Sequence, residues 1–545
     1  MGEGSVTKPI KGRRSWKLKP PHDRWTQGMV VSGFVGLPRS EALFLFFDWP
    51  ANEGGGGRKG AWLQTLNAVA PITGADGKEP RAAAISFTWS GLERLGLSKD
   101  ALETFSAPFR EGMYQEDRLR RLGDKVEDKW QGTVIEGGPE WSGNIPVRKE
   151  ELGSAGELSA GEAAAKERQV ITPKTVHALL LLYDKDEDAV RTWARLVEDA
   201  LAPHNVKVVQ RLPLELRLDE NGIGREHFGF ADGLSQPIPF GDQSGDGTGD
   251  DSIVLIDGRP AKRDPWHGVP LGDILLGHTN AHHEKAPGPF VQDDVEGRGR
   301  AQGLKPEGAP EGFLNFGLNG SYLVVRELRQ DVAAFWNSVH DGAAKIRAHD
   351  PTATHVTAQW LAERIVGRNI DGHLLCPGGL LPADEDKRPQ NDFGFFRDDP
   401  RGRGCPLGSH VRRGNPRDGL AKDEAAAQTL LDAANNHRIL RRGRKYGTTI
   451  KDPRQDDHRE RGLLFICLNT DIARQFEFVQ QTWILNSNFA TLFDETDPLV
   501  GPKGHFTIPE QPLRRIVEVA TFIQMAGGEY FFLPSIPALN YLAAP

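Results

Sequence analysis

Three segments of this chain carry side chains that can move protons, hold anions or bind a metal. The first is GFADG, residues 229–233, in which Asp232 stands between glycines. Glycine lets a backbone approach a bulky ligand closely and adopt a positive φ angle. The Asp232 carboxylate and Gly233 are therefore candidates for the wall of a ligand cavity. An ordinary Asp-Gly turn without any function explains the same pattern.

The second segment is CPLGSHVRRGNPRD, residues 405–418, which places His410 among glycine, serine and arginine. A neutral imidazole can ligate iron through a ring nitrogen. A basic cluster around it can hold carboxylates such as those of haem propionates. A solvated basic loop is the alternative reading of this segment.

The third segment is NHRILRRGRKYGT, residues 436–448. Ile439 and Leu440 favour burial, so at least one neighbouring arginine is expected to point inward. An inward guanidinium is costly unless it meets an anion or lines a polar pocket. A surface stripe of ion pairs is the alternative. Together the three segments suit peroxide activation at a His-ligated haem, although residue types alone also fit other chemistry.

The elements that must position these residues show one recurring pattern. Residues 176–201, 320–341 and 462–483 each begin with an apolar run of strand length and continue with helical spacing. Residues 42–47 (ALFLFF) predict a further strand. Strands that alternate with helices predict sheets covered on one face, in an α/β or α+β architecture. A division near residues 211–222 separates two sheet-forming halves.

Composition limits the classes of function. The chain has 545 residues, 38% of them hydrophobic, which is enough for one large domain or two packed ones. A net charge of −8 argues against a nucleic-acid partner. The mean hydropathy is −0.47, and no apolar run approaches the roughly 20 residues that span a bilayer. Cys376, Cys405 and Cys467 form no CxxC pair, which disfavours a zinc knuckle. We expect a cytoplasmic protein with neither nucleic-acid nor membrane partners.

In this order, the three segments resemble those of the dye-decolorising (DyP-type) haem peroxidases. GFADG matches the GxxDG motif of that family, CPLGSHVRRGNPRD resembles its proximal-histidine segment, and RILRRGRKYG resembles its distal-arginine segment. RGLLFICLNTDIARQFEFVQQTW, from Arg461, is similar to the strand and helix that follow. The resemblance runs from about Trp25 to Leu542, and the length fits the larger, long-loop subgroup.

The resemblance implies an α+β fold of two ferredoxin-like halves, with antiparallel sheets and peripheral helices in a dimeric α+β barrel-like arrangement. We expect a disordered basic arm at residues 1–24. The N-terminal half would cover residues 25–215. The C-terminal half, residues 216–545, would hold the cofactor, haem b (iron protoporphyrin IX).

The resemblance also implies roles for the three central residues. His410 would be the axial ligand of the haem iron, which leaves the opposite face of the iron open. Asp232 would move a proton between the two oxygens of hydrogen peroxide. Arg441 would stabilise the negative charge that grows on the leaving oxygen. Arg438 and Arg442 lie near enough in sequence to be alternatives to Arg441.

Four further positions concern the haem pocket. Arg417 matches a family position near a haem propionate. Leu463 and Phe465 are expected to line the distal pocket and restrict it to small oxidants. Gly443 has no side chain where some relatives place a polar distal residue, so the distal hydrogen-bond network is expected to be simpler here.

The proximal histidine needs an acceptor for its second ring nitrogen. Asp471 is the candidate, because it opens the helix that follows the strand at residues 463–468. Glu477 is the second choice. Either residue would equally well be an ordinary acid on a helix surface.

The function implied is a haem peroxidase that reduces hydrogen peroxide and oxidises dyes, phenolics and other small one-electron donors through a high-valent oxoferryl intermediate. The chain would act as a monomer or homo-oligomer. The alternative is a non-catalytic haem-binding or haem-handling protein on the same fold. A carrier needs only a ligand and a pocket, so the presence of both Asp232 and Arg441 disfavours it.

Overall fold

The centre of the fold is an antiparallel sheet that closes on itself. The computed structural model describes residues 15–49, 59–78, 80–143, 175–219, 222–241, 252–286, 288–293, 303–383, 389–511 and 514–544. Nine of its strands belong to this sheet. They are β1 (Arg39–Phe47), β2 (Ala82–Phe87), β3 (Ala178–Asp184), β4 (Val206–Glu215), β5 (Ser321–Gln330), β6 (Leu440–Arg441), β7 (Arg444–Tyr446), β8 (Gly462–Asn469) and β9 (Ile523–Leu533).

The strand order shows two halves joined into one ring. The order is β5-β9-β2-β3-β1-β4-β7-β8, and β8 pairs back onto β5. That closing pair runs from Tyr322 opposite Asn469 to Arg329 opposite Gly462. β6 continues the line of β7 along β8 after a break at Arg442 and Gly443. Because a closed sheet has no exposed edge strand, it offers no backbone groups to pair with a strand of another chain.

This arrangement confirms the predicted α+β fold. The strands β1 to β4 come from the first 215 residues and lie side by side, and β5 to β9 come from residues 321–533. Both sets contribute to one ring, so the sheet itself does not mark a boundary between separate units. The division between residues 215 and 216 stays a prediction.

The alternation of side chains explains why the strands are apolar on both faces. In β1, Leu43, Leu45 and Phe47 pack with helices on the outside of the ring. Ala42 and Phe44 belong to a second core inside it. Successive strand residues point to opposite faces, and both faces of this strand are covered. The run ALFLFF was predicted to be a strand, and the structure confirms it.

Helices cover the outer face, and side chains cap the first turn of several, including the two longest. In α2 (Glu187–Leu201), Asp186 accepts a hydrogen bond from the amide of Ala189. In α3 (Val332–His349), Asp331 accepts one from Ala334. Such caps satisfy amides that the first helical turn leaves free. The other helices of this set are α1 (Ala61–Val69), α4 (Ala358–Val366), α5 (His410–Gly414), α6 (Glu424–Asn435) and α7 (Ile536–Ala543).

The predicted strand–helix segments are confirmed at β3 with α2 and at β5 with α3. After β8 the chain instead forms two wider, π-helical segments, Ala473–Glu477 and Val479–Ile484. None of the described helices combines the length and apolar character needed to cross a bilayer.

The remaining described elements are short. The short helices are His22–Trp25, Trp89–Arg94, Lys99–Glu103, Ala107–Glu111, Glu116–Arg121 and Phe395–Asp398, with 3-10 turns at Ala202–His204 and Leu271–Asp273. The short strands are Trp16–Leu18, Lys125–Val126, Lys129–Trp130, Gly224–Arg225, Ala231–Asp232, Ile238–Phe240, Val254–Ile256, Arg259–Pro260, Gly268–Pro270, Phe290–Gln292, Phe313–Asn315, Leu375–Cys376, Gly379–Leu380, Gly504–Pro509 and Arg514–Val519.

The expectation of a disordered arm at residues 1–24 is wrong for its last ten residues. The strand Trp16–Leu18 pairs antiparallel with Val254–Ile256. Trp16 and Leu18 are buried in the core inside the ring, which is why this segment is ordered despite its basic neighbours. Residues 1–14 lie outside the described part of the chain.

The core inside the ring generates a prediction about stability. Phe44 is fully buried, with its ring 4.5 Å from that of Trp141. Phe44→Ala is expected to lower the free energy of unfolding by about 3–5 kcal/mol, through lost burial and the cavity it leaves. Chemical denaturation followed by fluorescence measures the change. Leu196→Ala, at an exposed position of α2, is the control and is expected to stay within about 0.5 kcal/mol of the parent. Equal losses in both variants would contradict the assignment of this core.

Candidate functional site

One cavity brings the three segments together. It has a volume of about 450 Å³, and Asp232, His410 and Arg441 all line it. This volume falls within the range of small-molecule and cofactor sites. Residues more than 200 positions apart in sequence therefore face one space.

Asp232 lies at the end of a β-hairpin. Gly224 pairs with Asp232 across its two arms, Gly224–Arg225 and Ala231–Asp232. Gly229 in the turn and Gly233 after the second arm have φ angles of 99° and 72°, a region that favours glycine. The carboxylate accepts a 2.5 Å hydrogen bond from the amide of Gly233 and is partly exposed to the cavity. The turn alternative is thus correct as to conformation, and the carboxylate still faces the cavity.

Arg441 is the arginine that stands beside Asp232. Its Nη1 lies 3.6 Å from Oδ1 of Asp232, and its Nη2 donates to the carbonyl of Ser235 at 3.2 Å. The side chain of Gln236 holds its backbone on both sides, at 3.1 Å to the amide and 3.2 Å to the carbonyl. Arg442 instead donates to the carbonyls of Met29 and Val30. Arg442 therefore joins the barrel to the N-terminal segment.

The strand β8 supplies the apolar wall. Leu463 and Phe465 line the cavity, whereas Leu464 and Ile466 belong to the core inside the ring. Arg441 is the cross-strand partner of Cys467, so its side chain shares the cavity face with Phe465. Leu463 and Phe465 were predicted to line the pocket, and the structure places both of them in the cavity wall.

Gly443 occupies the break between β6 and β7. A Cβ atom added there would lie 2.6 Å from the carbonyl oxygen of Leu464 and 3.1 Å from the amide nitrogen of Ile466. Real Cβ atoms essentially never approach the backbone so closely. The backbone of β8 therefore requires a glycine at this position.

His410 is the first residue of α5 and faces Asp497. Its Nδ1 lies 2.9 Å from Oδ2 of Asp497, which is fully buried. The other oxygen of Asp497 accepts hydrogen bonds from the amides of Leu499 and Val500, at 2.9 and 3.0 Å. None of the described residues bonds Nε2 of His410. The ring therefore has one nitrogen fixed by a carboxylate and the other available to a ligand in the cavity.

The His410–Asp497 pair shifts the proton affinity of both groups. Burial acts to lower the pKa of His410, but the charge and hydrogen bond of Asp497 outweigh it and raise the pKa above its ordinary value. Burial acts to raise the pKa of Asp497, and the His410 interaction reverses this and lowers it. Asp497 thus stays a carboxylate, orients the ring through Nδ1 and makes Nε2 a stronger donor to a metal.

The expected proximal partners are both wrong, since neither contacts His410. Asp471 caps the first π-helical segment by accepting a 2.9 Å hydrogen bond from the amide of Arg474. Glu477 is buried elsewhere, where it accepts a 2.7 Å bond from the hydroxyl of Tyr530 and pairs with Arg118.

The physical reason is the path of the chain. The π-helical segments reach α5 only at their far end, where Arg413 donates to the carbonyls of Trp483 and Ile484. Asp471 and Glu477 precede that end, and the acid that meets His410 comes from the loop beyond it. A signal for Asp497 was present in the sequence. Asp497 is followed by Pro498 in DPLVG, and aspartate in such turns accepts bonds from amides two and three residues ahead.

Three buried arginines form a cationic end of the cavity. Arg368, Arg417 and Arg438 all line it, and within the described ranges no carboxylate forms an ion pair with any of them. Arg417 donates through Nη1 to the carbonyls of Asn391 and Phe393, at 2.8 and 2.9 Å.

The electrostatics of this end favour an anion. Burial lowers the pKa of Arg417 well below its ordinary value, and the charges of Arg438 and Arg368 lower it further. Burial likewise lowers the pKa of Arg438 to about 10, with Arg441 adding to the shift. Buried cations that lack an ion-pairing carboxylate are costly until an anion reaches them. Of this cluster, the sequence had singled out only Arg417 for this role and had named Arg438 only as an alternative to Arg441.

These features fit a haem. The free Nε2 of His410 suits an axial ligand to iron. The three arginines suit the two propionate carboxylates. The Asp232–Arg441 pair supplies an acid–base group and a cation in the same cavity, where a small oxidant would bind.

The His410–Asp497 contact generates a prediction. Asp497→Asn keeps the shape of the side chain but removes the charge that orients the imidazole. It is expected to weaken haem affinity by about 10–100-fold, as is typical when such a partner of a metal ligand is lost. Transfer of haem to apomyoglobin measures the change. Asp471→Asn is the matched control and is expected to retain haem as the parent does. Loss in Asp471→Asn but not in Asp497→Asn would overturn the assignment.

Comparison with known proteins places the chain in a family. No family model matches it. It is 32% identical over 391 residues to the multifunctional dye peroxidase DyP2 of Amycolatopsis sp., which covers 68% of this chain and 72% of that protein. It is 27% identical over 537 residues to the dye-decolorizing peroxidase msp1 of Mycetinis scorodonius, at 93% and 85% coverage.

Solved structures share this fold over nearly the whole length of the chain. The crystal structure of a DyP-type peroxidase from Anabaena sp. superposes with a TM-score of 0.64 at 25% identity, and covers 96% of this chain and 95% of that one. Near-complete coverage fits the longer members of the family. These relatives favour a peroxidase over the non-catalytic haem-binding alternative. By sequence and by fold, this chain belongs to the dye-decolorising (DyP-type) family of haem peroxidases.

Proposed function

We propose that this peroxidase uses Asp232 and Arg441 to activate hydrogen peroxide at haem b, held by His410. The observation that carries the proposal is that an acid–base carboxylate and a guanidinium lie 3.6 Å apart in the cavity that receives the free Nε2 of His410. Haem supplies an iron centre that accepts oxygen from peroxide and stores oxidising equivalents.

The cavity residues divide the work of binding. His410 would hold the iron, and Asp497 fixes its ring. Arg417 and its neighbours Arg368 and Arg438 would neutralise the propionates. Gly233 lets the backbone come close to the flat ligand.

The proton transfers belong to Asp232. Its carboxylate would accept a proton from one oxygen of hydrogen peroxide and return it to the other oxygen, which would leave as water. Arg441 would donate hydrogen bonds to the leaving oxygen and stabilise the negative charge that develops on it. Leu463 and Phe465 offer no hydrogen bonds, so Asp232 and Arg441 are the polar groups proposed to meet the reacting oxygens.

The electron donors we propose are dyes, phenolics and other small aromatic compounds. The names of the relatives support this class, since DyP2 is a multifunctional dye peroxidase and msp1 a dye-decolorizing peroxidase. The acidic net charge of −8 favours small molecules over nucleic acid as partners. A cytoplasmic location and a monomeric or homo-oligomeric state stay predictions.

The roles of Asp232 and Arg441 generate a kinetic prediction. Asp232→Asn is expected to lower the second-order rate constant for peroxide by about 10²–10⁴-fold, because the amide cannot accept the proton. Arg441→Leu is expected to lower it by about 10²–10³-fold, through lost charge stabilisation. Stopped-flow absorbance on mixing with peroxide measures both. Asp371→Asn, an exposed carboxylate paired with Arg225 beside the same hairpin, is the control and should react as the parent does. A parent-like rate in Asp232→Asn would contradict the mechanism.

The role of His410 generates a spectroscopic prediction. The purified parent is expected to show a Soret band and a pyridine haemochrome spectrum of haem b. His410→Ala is expected to lose the His-ligated ferric spectrum, because Nε2 is the donor. His355→Ala removes another imidazole paired with a carboxylate, Glu510 at 2.9 Å. Neither residue lines the cavity, so this variant should leave the spectrum unchanged. A His-ligated spectrum that survives in His410→Ala would identify a different ligand.

A further inference from the structure

Glu226 is a carboxylate in the cavity wall that the mechanism above does not use. It lies under the turn of the hairpin that carries Asp232. Its Oε1 accepts a 2.8 Å hydrogen bond from the amide of Phe230. Its Oε2 accepts bonds from the amide of Phe228, at 2.7 Å, and from Nε2 of Gln330, at 2.9 Å. Both oxygens therefore act as acceptors.

The position of Glu226 in the hairpin makes these bonds important for Asp232. Glu226 follows the first arm directly, and Phe230 precedes the second arm, Ala231–Asp232. The amide of Glu226 also donates to the carbonyl of Phe230 at 3.2 Å. The carboxylate thus closes the turn from within, and Asp232 stands only two residues beyond Phe230.

The same carboxylate ties the hairpin to the barrel. Gln330 is the last residue of β5, so its bond to Glu226 fixes the turn relative to the closed sheet. The other side of the turn packs on α3, where the ring of Phe335 lies 4.6 Å from that of Phe228. Nε1 of Trp336 donates to the carbonyl of Phe228 at 3.2 Å.

Asp232 has few restraints of its own. Its carboxylate bonds the amide of Gly233 and stands 3.6 Å from Arg441. Its distance from the reacting atoms is therefore set by the hairpin backbone. A displacement of about 1 Å in a reacting group can cost about 100-fold in rate.

Burial in the cavity wall alone favours the neutral form of Glu226. Burial raises the pKa of Glu226 to about 7, the hydrogen bonds from Phe228, Phe230 and Gln330 oppose the rise, and the charge of Asp232 adds to it. The three donors are thus the groups that stabilise the carboxylate form. If the side chain is lost, the two amides of the turn lose their acceptor, which is unfavourable wherever they stay buried.

We propose that Glu226 is a positioning residue for the peroxide reaction, which fastens the hairpin turn so that Asp232 keeps its place beside Arg441. The inference rests on the role proposed above for Asp232. The positioning role requires both carboxylate oxygens of Glu226 to accept hydrogen bonds. Glutamine has the same shape but turns one end into an N–H donor. Glu226→Gln would therefore set a donor against either the Phe230 amide or the pair formed by Phe228 and Gln330.

The first arm of the test measures the turn itself in the haem-loaded protein. Glu226→Gln is expected to speed hydrogen exchange of the amides in residues 226–232. Glu529→Gln is the matched control, because Glu529 is also buried and accepts bonds from the amides of Met113 and Gly143, but lies outside the cavity. Glu529→Gln is expected to lower the melting temperature and leave exchange in residues 226–232 unchanged. Unchanged exchange in Glu226→Gln would overturn the proposal.

The second arm measures the second-order rate constant for peroxide in a double-mutant cycle. Glu226→Gln is expected to lower it by about 10–100-fold in the parent. In an Asp232→Asn background the same change is expected to have no further effect, because Glu226 acts through Asp232. Glu529→Gln is expected to leave the rate constant unchanged in both backgrounds.

The outcomes separate the two proposals. An equal loss from Glu226→Gln in both backgrounds would show that Glu226 acts independently and would overturn the positioning role. A slow Asp232→Asn beside a parent-like Glu226→Gln would do the same while leaving the proposed function intact. A parent-like Asp232→Asn would refute the proposed function, and the positioning role with it.

Discussion

The site depends on the pairing of one strand, β8. It bonds to β5 on one side, where it closes the ring, and to β6 and β7 on the other. A strand held on both sides cannot slip by one residue without exchanging its two faces. Such a slip would turn Leu463 and Phe465 into the ring and bring Leu464 and Ile466 to the cavity. Closure of the sheet thus fixes which side chains meet the ligand and which face Arg441 occupies.

The charges of the cavity are fixed in place by backbone contacts. Arg417 donates to two carbonyls, Asp497 accepts from two amides, and Glu226 accepts from two more. Groups held in this way need little reorganisation when charge develops during a reaction. The cluster of buried arginines destabilises the protein when no ligand is bound, because their like charges lie together at one end of the cavity. Binding of an anionic ligand offsets that cost, so cofactor binding and folding stability are linked.

Much of the candidate site could be predicted from short stretches of sequence. GFADG and CPLGSH each contain a candidate site residue that its neighbours mark, and the order of these segments pointed to the family. The apolar run ALFLFF and the change from apolar runs to helical spacing are local too, and they made the strands and the strand–helix segments predictable. Arg441 could be chosen among its neighbours only by resemblance, because RILRRGR offers four similar side chains.

The features that were missed are contacts between distant positions. Asp497 lies 87 residues beyond His410, and the helix after β8 seemed to offer nearer acids. That helix is π-helical, so its residues face other directions than α-helical spacing predicts. The order of residues 15–24 likewise comes from a strand more than 230 positions away. Spacing along a chain does not encode such pairings, which depend on how the sheet closes.

The backbone around Gly443 limits which residues the site can accept at this position. Its neighbour strand leaves no room for a Cβ atom, with a backbone oxygen only 2.6 Å from where it would stand. A third polar group therefore cannot enter the site at this position by one codon change. The backbone of β8 must first move, and that strand also closes the barrel and carries the apolar wall. A side chain at position 443 would therefore disturb the closure of the barrel and the apolar wall of the cavity together.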